Sequence, residues 1–196
     1  MSRKTIKLLE SKIPYERIGI GTYSIVFKVD NKILKVFYEK FDEGHEFENE
    51  VAIHKNLNHP NIPTFYNYGN FDRFRFIKME FVDGLNLLEL LDWQRITKIN
   101  FPENVIKIIA FQSIEVLSYL HTQKVIHKDF SHRNIMLNKE GELKLIDFGS
   151  AKIIDEELIN PDIQDFGILL YHLISGHNPF DENEFLEQIE IYPNCN

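Results

Sequence analysis

Residues 126–137 read IHKDFSHRNIML, and residues 143–149 read LKLIDFG. Asp129 and Asn134 lie five residues apart in a predicted loop between apolar runs. Asp147 follows eighteen residues after Asp129, at the end of a predicted strand. Two carboxylates and an amide at this spacing can supply one general base and two hard oxygen ligands for Mg²⁺. The pattern therefore predicts a magnesium site beside a general base and disfavours three unrelated loop residues.

Upstream, IGIGTYSIVFKV places Gly19 and Gly21 between two predicted strands. Glycine lets a backbone approach a phosphate closely, but an ordinary hairpin turn fits this stretch equally well. The next predicted strand, KILKVFY, carries Lys35 among apolar residues, where a lysine is costly unless it is paired. Glu50, fifteen residues later on a predicted helix, is the natural partner, and an exposed lysine on an edge strand is the alternative.

Composition limits the classes of protein to which the chain can belong. Its 196 residues suffice for one domain with a hydrophobic core, and 43% hydrophobic and 27% charged residues are usual for a globular chain. A formal net charge of −8 disfavours a nucleic-acid partner, which would need a basic face. The single cysteine, Cys195, excludes an internal disulfide. Because no apolar run is long enough for a signal core or a membrane span, no membrane partner is expected.

The N-terminal part of the chain has the alternating pattern of β-strands. Strands are predicted from Tyr15 to Phe81, with a two-residue turn at Asp30-Asn31 and one helix over residues 41–57. After residues 82–84 the pattern becomes helical. The junction between the two parts is a natural place for a ligand cleft.

Three helices are predicted in the C-terminal part. LNLLELLDW predicts a short helix, and PENVIKIIAFQSIEVLSYLHTQ predicts a long amphipathic one with Pro102 in its first turn. GILLYHLISG predicts an apolar helix that ends at Gly176.

These blocks, in this order, resemble the eukaryotic-type protein kinase family over residues 18–180. HKDFSHRN resembles the H-R-D-L-x-x-x-N catalytic loop, and IDFG contains the D-F-G turn. LNHPNI, IKMEFVDG and DIQDFGILLYHLISGHNPF resemble the segment after helix C, the hinge and helix F. The resemblance implies an α+β, bilobal protein-kinase-like fold in a single domain over residues 1–196. A β-rich N-lobe with helix C would span residues 15–82, and a truncated helical C-lobe would span residues 83–196.

The resemblance also implies a role for each matching residue. Asp129 would orient the acceptor hydroxyl and take its proton, and Asn134 and Asp147 would bind Mg²⁺. Lys35, oriented by Glu50, would hold the α- and β-phosphates of ATP. The remaining ATP contacts would come from Ile18, Gly19, Gly21, Val26, Met79, Glu80 and Val82, with Met79 at the gatekeeper position.

The largest departure from the family lies between Gly149 and Asp162, where the chain has only twelve residues. The activation loop, the peptide-docking loop and the A-P-E motif are therefore expected to be missing, while Asp162 would still brace the catalytic loop from helix F. Ser150 is the only hydroxyl residue in this gap, and Lys128 replaces the Arg of H-R-D. Activity is accordingly predicted not to depend on activation-loop phosphorylation. Because the chain stops soon after Phe180, the last C-lobe helices are also expected to be absent.

Single residues depart from the family pattern as well. Ile33 replaces a small residue over the adenine position, which predicts a tight pocket. His54 is expected to be a packed core histidine, and a pH-sensitive position is the alternative. Ser131 and Arg133 give conflicting indications of the acceptor hydroxyl.

The predicted function is an ATP- and Mg²⁺-dependent protein kinase that favours Ser/Thr over Tyr. A kinase-like binding module or decoy is the main alternative, because the peptide platform is missing, and a small-molecule kinase is the third. The expected partner is a protein substrate or an activating protein. Shortened kinases of this type resemble those carried by viruses and bacterial pathogens. The candidates for the partner therefore include a protein of a host cell. The expected location is the cytoplasm, or the host-cell cytoplasm.

Overall fold

The computed structural model describes residues 16–37, 45–71, 74–154 and 161–176. The start of the predicted helix at residues 41–44, the N-terminal stretch before Glu16 and the tail that includes Phe180 and Cys195 lie outside these ranges.

The described residues contain ten strands and four helices. A five-stranded antiparallel sheet has the order β1-β2-β3-β5-β4, and it consists of β1 (Glu16–Ile20), β2 (Ser24–Val29), β3 (Lys32–Phe37), β4 (Phe65–Phe71) and β5 (Phe74–Glu80). A second sheet joins β6 (Gly84–Asn86), β8 (Ile135–Asn138) and β9 (Leu143–Leu145), and β7 (Val125–Ile126) pairs with β10 (Lys152–Ile153). The helices are α1 (His45–His54), α2 (Leu87–Thr97), α3 (Glu103–Thr122) and α4 (Pro161–Ser175).

The five-stranded sheet buries apolar side chains on both faces. One face carries the cluster of Ile25, Phe27, Val36 and Phe74. The other face packs Phe37, Ile77 and Met79 against Phe47 and Val51 of α1. Successive side chains of a strand point to opposite faces, so Lys35 shares the face of Phe37 and is directed towards α1. The alternation in the sequence thus brings a lysine to the helix side of the sheet.

Local chemistry explains where the strands turn and where α1 stops. The predicted turn at Asp30-Asn31 is confirmed, and Asp30 has a φ of 53°. α1 ends at His54, before the predicted end at Leu57. The Leu57 N–H donates to the carbonyl of His54 at 3.1 Å, and the Asn56 N–H donates to that of Ile53 at 3.1 Å. Such i to i+3 bonds tighten the chain out of the α-helix, which ends the helix early.

A glycine joins the sheet to the helical part. Gly84 begins β6, where the backbone lies directly against β8. A Cβ at this position would lie 1.9 Å from the carbonyl oxygen of Leu137. Any other residue would therefore push β6 away from β8.

Helix α2 begins at Leu87, two residues later than predicted, because Asn86 caps it. The Asn86 side chain accepts from the Glu89 N–H at 2.9 Å, and the Glu89 carboxylate accepts from the Asn86 N–H at 2.9 Å. This capping box satisfies two backbone donors at the helix start. The prediction for Pro102 was wrong by one position, since it is the N-cap of α3 and precedes its first turn.

Helix α4 begins at Pro161, before the start at Gly167 that the apolar pattern predicts, and it contains Asp162, as the resemblance to helix F implies. It ends at Ser175, one residue before the predicted end at Gly176. Its Leu169 and Leu173 belong to the main core together with a stripe of α3 that includes Ile109, Val116 and Leu120. Each fully buried side chain of this kind contributes roughly 1.5–3 kcal/mol of burial free energy. Within the described part of the chain, no helix combines the length and apolarity needed to cross a bilayer.

Candidate active site

An apolar cavity of about 170 Å³ lies between the five-stranded sheet and the second sheet. Its apolar lining includes Ile18, Val26, Ile33, Met79, Val82 and Met136, while Lys35, Glu50 and Asp147 line it as charged residues. This volume is below the range of about 300–1,000 Å³ that is usual for ligand pockets. The cavity is therefore of a size for a planar base and not for a whole nucleotide, which agrees with the tight pocket predicted from Ile33.

A polar cavity of about 180 Å³ adjoins it and shares Lys35 and Asp147 with it. The other lining residues are Gly21, Thr22, Tyr23, Ser24, Glu46, Asp129, Gly149 and Ser150. Loop backbone, one cation and several carboxylates thus surround one space. Such a lining suits phosphate groups together with a divalent cation.

The ammonium group of Lys35 connects the two cavities. Its Nζ donates to Glu50 Oε2 at 2.7 Å and to Asp147 Oδ1 at 2.8 Å. Lys35 is 8% exposed and Glu50 is 1% exposed, whereas the Asp147 side chain is 47% exposed. The structure therefore brings together three residues predicted from separate motifs, and it leaves Asp147 accessible from the cavity.

The three charges shift one another's pKa values. Burial acts to lower the pKa of Lys35, but the carboxylates of Glu50 and Asp147 outweigh it and raise that pKa above its ordinary value. Burial raises the pKa of Glu50 to about 7, against the attraction of Lys35. At Asp147 burial opposes ionisation, yet Lys35 holds the pKa of the carboxyl below its usual range. Lys35 and Asp147 are therefore a charged pair at neutral pH, and Glu50 is the carboxyl that protonates first.

Asp129, which lines the polar cavity, is hydrogen-bonded to Asn134. The Asn134 Nδ2 donates to Asp129 Oδ2 at 2.7 Å and to the Asp129 carbonyl at 3.1 Å. The Asn134 carbonyl accepts from the Ile146 N–H at 2.8 Å, which ties this loop to the residue before Asp147. The Asp129 carboxylate is exposed, so it can receive a proton from a bound molecule.

The donor set at this place fits a magnesium ion. The carboxylate of Asp147 and the amide oxygen of Asn134 are the hard oxygen ligands that would hold it. Among the residues that the structure describes, no group of three or more His, Cys, Asp or Glu residues could hold a metal. A cation here would therefore take further ligands from water and from phosphate oxygens, as magnesium usually does.

Asp162 supports the catalytic loop from inside α4. Its carboxylate is fully buried and accepts from the backbone N–H groups of His127 and Lys128, each at 2.8 Å. Lys128 has a φ of 65°, a left-handed conformation that costs of order 1–3 kcal/mol for a residue with a side chain. The two hydrogen bonds hold this strained turn and so place Asp129.

Replacing Asp162 by alanine should lower the free energy of unfolding by about 3 kcal/mol or more, because two N–H groups lose a charged acceptor. Asp162→Asn keeps one acceptor oxygen and should lose less. Urea denaturation monitored by circular dichroism measures both variants. Equal stability of the wild type and Asp162→Ala would contradict the bracing role.

A column of aromatic rings runs from the catalytic loop to α1. His127 packs on Phe148 at 5.1 Å between ring centroids, Phe148 packs on His54 at 5.0 Å, and His54 packs on Phe65 at 5.4 Å. The first three rings are 0–1% exposed. His54 is thus a buried core residue, the first of the two interpretations of this position.

The hydrogen bonds of His54 explain its charge state. Its Nε2 lies 2.7 Å from the Pro63 carbonyl, which requires the hydrogen on Nε2, and its buried Nδ1 has no hydrogen-bond partner among the described residues. A second proton on Nδ1 would have no acceptor and would place a charge in the core. Burial accordingly lowers the pKa of His54 to about 4.

The lowered pKa of His54 predicts a loss of stability in acid. Below pH 6.5 the unfolded chain takes up this proton and the folded chain does not, so stability falls as the pH drops towards 4. When the pH is lowered from 7 to 5, the free energy of unfolding of the wild type should fall by roughly 2 kcal/mol more than that of His54→Leu, as measured by urea unfolding. The comparison cancels the contributions of the titratable groups that the two proteins share. Equal losses of stability in the two proteins would contradict the lowered pKa of His54.

All but one of the other residues predicted to contact ATP line one of the two cavities. Ile18, Val26, Met79, Glu80 and Val82 all lie on the wall of the apolar cavity. The Glu80 N–H already donates to the Thr64 carbonyl at 2.9 Å. Of the two backbone groups of Glu80, the carbonyl is therefore the one that could accept a hydrogen bond from adenine. Gly21 lines the polar cavity, whereas Gly19 does not line either cavity and lies opposite Val26 in the β1–β2 pairing.

Glu46 and Lys144 are among the residues near the site that the sequence prediction missed. Glu46 lines the polar cavity, and it could have been found because it lies one helical turn before Glu50 on the same face. Lys144 is 9% exposed, and its Nζ lies 2.9 Å from Glu80 Oε1 at the hinge. A lysine between Leu143 and Leu145 gave a signal of its own, since a buried cation needs a partner.

Comparisons with known proteins agree with this geometry. The family model of the protein kinase domain matches residues 14–161. The chain is 37% identical over 134 residues to MAP kinase kinase kinase wis4 of Schizosaccharomyces pombe, which covers 66% of this chain and 9% of that protein. It is 28% identical over 197 aligned positions to serine/threonine-protein kinase pak-2 of Caenorhabditis elegans, covering 85% of this chain and 37% of that protein.

The chain therefore spans less than two fifths of the length of either relative. The family match nevertheless covers most of the chain, including the sheet, α1, the hinge and the loops that carry Asp129, Asn134 and Asp147. On the fold, the site geometry and these matches together, the chain belongs to the protein kinase family.

Proposed function

We propose that the chain is an ATP- and Mg²⁺-dependent protein kinase that transfers the γ-phosphate to a protein hydroxyl. The observation that carries the proposal is the Lys35 ammonium, which contacts Glu50 and Asp147 at the point where a base-sized cavity meets a polar one. Asp129 lines the same polar cavity. Lys35, Asp147 and Asp129, to which the proposal assigns phosphate binding, cation ligation and proton acceptance, thus face one space.

Each residue has a distinct chemical part in this reaction. Lys35 binds phosphate oxygens, and Glu50 keeps the ammonium in place. Asp129 orients the attacking hydroxyl and accepts its proton as the oxygen bonds to the γ-phosphorus and ADP leaves. Bound Mg²⁺ supplies charge neutralisation for the phosphate oxygens. The chain works mainly by positioning and by electrostatics, without a covalent intermediate.

Serine or threonine is the favoured acceptor, and a phosphorylated activation loop is not required. The name of the nematode relative, serine/threonine-protein kinase, supports the acceptor. Between Gly149 and Asp162 the sequence has a single hydroxyl, that of Ser150. The Lys35 ammonium donates to the Glu50 carboxylate at 2.7 Å, so the pair is formed by residues outside the segment that follows Gly149.

Two further parts of the proposal concern organisation and location. The sheet with α1 would form an N-lobe over residues 15–82, and residues 83–196 would form the C-lobe of the same domain. The partner would be a protein substrate or an activating protein, in the cytoplasm of the cell or of a host cell.

A kinase-like binding module is the second candidate function. The gap after Gly149 leaves little chain for a peptide-docking platform, and the apolar cavity is small. A protein of this kind would bind a nucleotide or a partner without efficient phosphotransfer.

Radiolabelled γ-ATP separates the two functions. The purified chain is incubated with Mg²⁺ alone, with histone or casein, and with cell lysate, each beside an EDTA control. Label that disappears both with EDTA and when Asp129→Ala replaces the wild type supports the kinase, because EDTA alone also stops the kinases of the lysate. The lysate then begins to identify its substrates. Thermal stabilisation by ATP without label in any reaction would favour the binding module. The absence of both label and stabilisation would contradict the kinase and the nucleotide-binding module, and it would leave a module that binds a partner protein.

A further inference from the structure

Asn49 makes a direct connection between α1 and the chain after the D-F-G turn. It lies one residue before Glu50, and its Nδ2 donates to the carbonyls of Gly149 and Ala151, each at 2.8 Å. One side-chain amide thus satisfies two backbone acceptors on either side of Ser150. The connection spans 100 and 102 residues of sequence and is partly buried.

A few residues later, the same segment is held to β7 and to Lys124, the residue before β7. Lys152 and Ile153 form β10, which pairs with β7, and the Ile154 N–H donates to the Lys124 carbonyl at 2.9 Å. The backbone from Gly149 to Ile154 therefore lies between α1 on one side and the catalytic-loop strand on the other.

The position of Asn49 links this segment to the charged residues of the site. The next residue on α1 is Glu50, whose carboxylate contacts Lys35, and Asp147 lies two residues before the first carbonyl that Asn49 binds. A shift of α1 away from the segment would separate Glu50 from Lys35 and would release the backbone that follows Asp147. The amide of Asn49 opposes both movements with uncharged hydrogen bonds that need no modification.

We propose that Asn49 is a positioning residue that keeps α1 docked and the site assembled in the absence of a phosphorylated loop. The inference rests on the proposed kinase function for its effect on rate, and it explains how so short a segment after the D-F-G turn holds its place. On this proposal the Asn49 contacts are always present, so the Lys35–Glu50 pair is already formed in the unmodified chain.

The test compares Asn49→Asp with Asn56→Asp. Asn49→Asp keeps the shape of the side chain but turns an acceptor towards two carbonyls, whereas the Asn56 side chain donates to the Ala52 carbonyl within its own helix end. In steady-state assays, Asn49→Asp should lower kcat by about 10-fold or more and change the KM for ATP by less than about 3-fold. Asn56→Asp should match the wild type, and Asn49→Gln, which keeps an amide donor, should recover part of the loss.

A double-mutant cycle separates positioning from general destabilisation. If Asn49 acts by docking Glu50, combining Asn49→Asp with Glu50→Gln should cost much less than the product of the two single effects. Multiplicative effects would overturn the proposal. Should Asn49→Asp fail to fold, Asn49→Ala takes its place in every comparison, because it removes the donor without adding a charge.

Amide hydrogen exchange measures the connection independently of activity. Peptides covering residues 45–54 and 149–154 should exchange faster in Asn49→Asp than in Asn56→Asp. Unchanged exchange in both peptides would overturn the proposal, and so would faster exchange with an unchanged kcat. If the wild type has no kinase activity, the proposed function fails, yet exchange in the two peptides still decides whether Asn49 holds α1 to the segment.

Discussion

Asp129→Asn should lower the kcat for phosphotransfer by roughly 10²–10⁴-fold, the usual contribution of a general base. The substitution preserves the size of the side chain and removes the group that accepts the proton. It also places an amide opposite the Asn134 Nδ2, which donates to Asp129 Oδ2 in the wild type. Hydroxyl orientation and proton acceptance are therefore lost together, while ATP contacts elsewhere in the cavity are retained.

Initial rates of label transfer from γ-ATP at saturating Mg²⁺ measure this effect, and ATP-induced thermal stabilisation checks that the nucleotide still binds. Asp92→Asn is the matched control, because Asp92 is an exposed aspartate on α2 that pairs with Arg95 on the same helix. The control should keep the wild-type rate. An Asp129→Asn protein with more than about a tenth of the wild-type kcat would remove Asp129 from the role of base.

Lys35→Met should reduce kcat/KM for ATP by at least about 10²-fold, the usual cost of losing one preorganised electrostatic contact to the reacting group. It should also destabilise the fold, because Glu50 is 1% exposed and would lose its cation. Breaking a buried pair costs roughly 3–5 kcal/mol. The loss of unfolding free energy should lie near the lower end of this range, since the pKa of Glu50 is already about 7 and its carboxyl can take up a proton.

The double variant Lys35→Met/Glu50→Gln distinguishes the effect on stability from the effect on catalysis. Without a buried charge it should regain most of the unfolding free energy in urea titrations and should still be inactive. A double variant that regains activity would mean that Lys35 does not contact phosphate. One that stays as unstable as Lys35→Met would mean that the Glu50 carboxylate is not the source of the instability.

Local patterns were sufficient for most elements of the fold. The alternation from Glu16 to Phe37 and the turn at Asp30-Asn31 predicted β-strands, and the structure has three of them there, β1, β2 and β3. Boundaries were less accurate where capping or a tight turn decides them. Asn86 delays the start of α2, and the i to i+3 bonds near Leu57 end α1 early.

The start of α4 could not be read from periodicity. Residues 161–166 mix polar and apolar side chains, so only the apolar stretch from Gly167 gave a clear helical pattern. Asp162 is fully buried within the first turn of this helix and accepts from His127 and Lys128. The first turn of α4 thus carries a tertiary contact with the catalytic loop, and its local hydrophobic pattern does not predict a helix.

The sequence by itself determined which chemical groups the site contains, because the motifs place Lys35 inside a predicted strand, Asp129 in a loop and Asp147 at the end of a strand. Only the tertiary structure decided how these groups are held. The contacts of Asn49 with Gly149 and of Lys144 with Glu80 join residues 100 and 64 positions apart. Such contacts depend on how the sheet, α1 and the catalytic loop pack, and the period of a helix or strand carries information only about neighbours a few residues away.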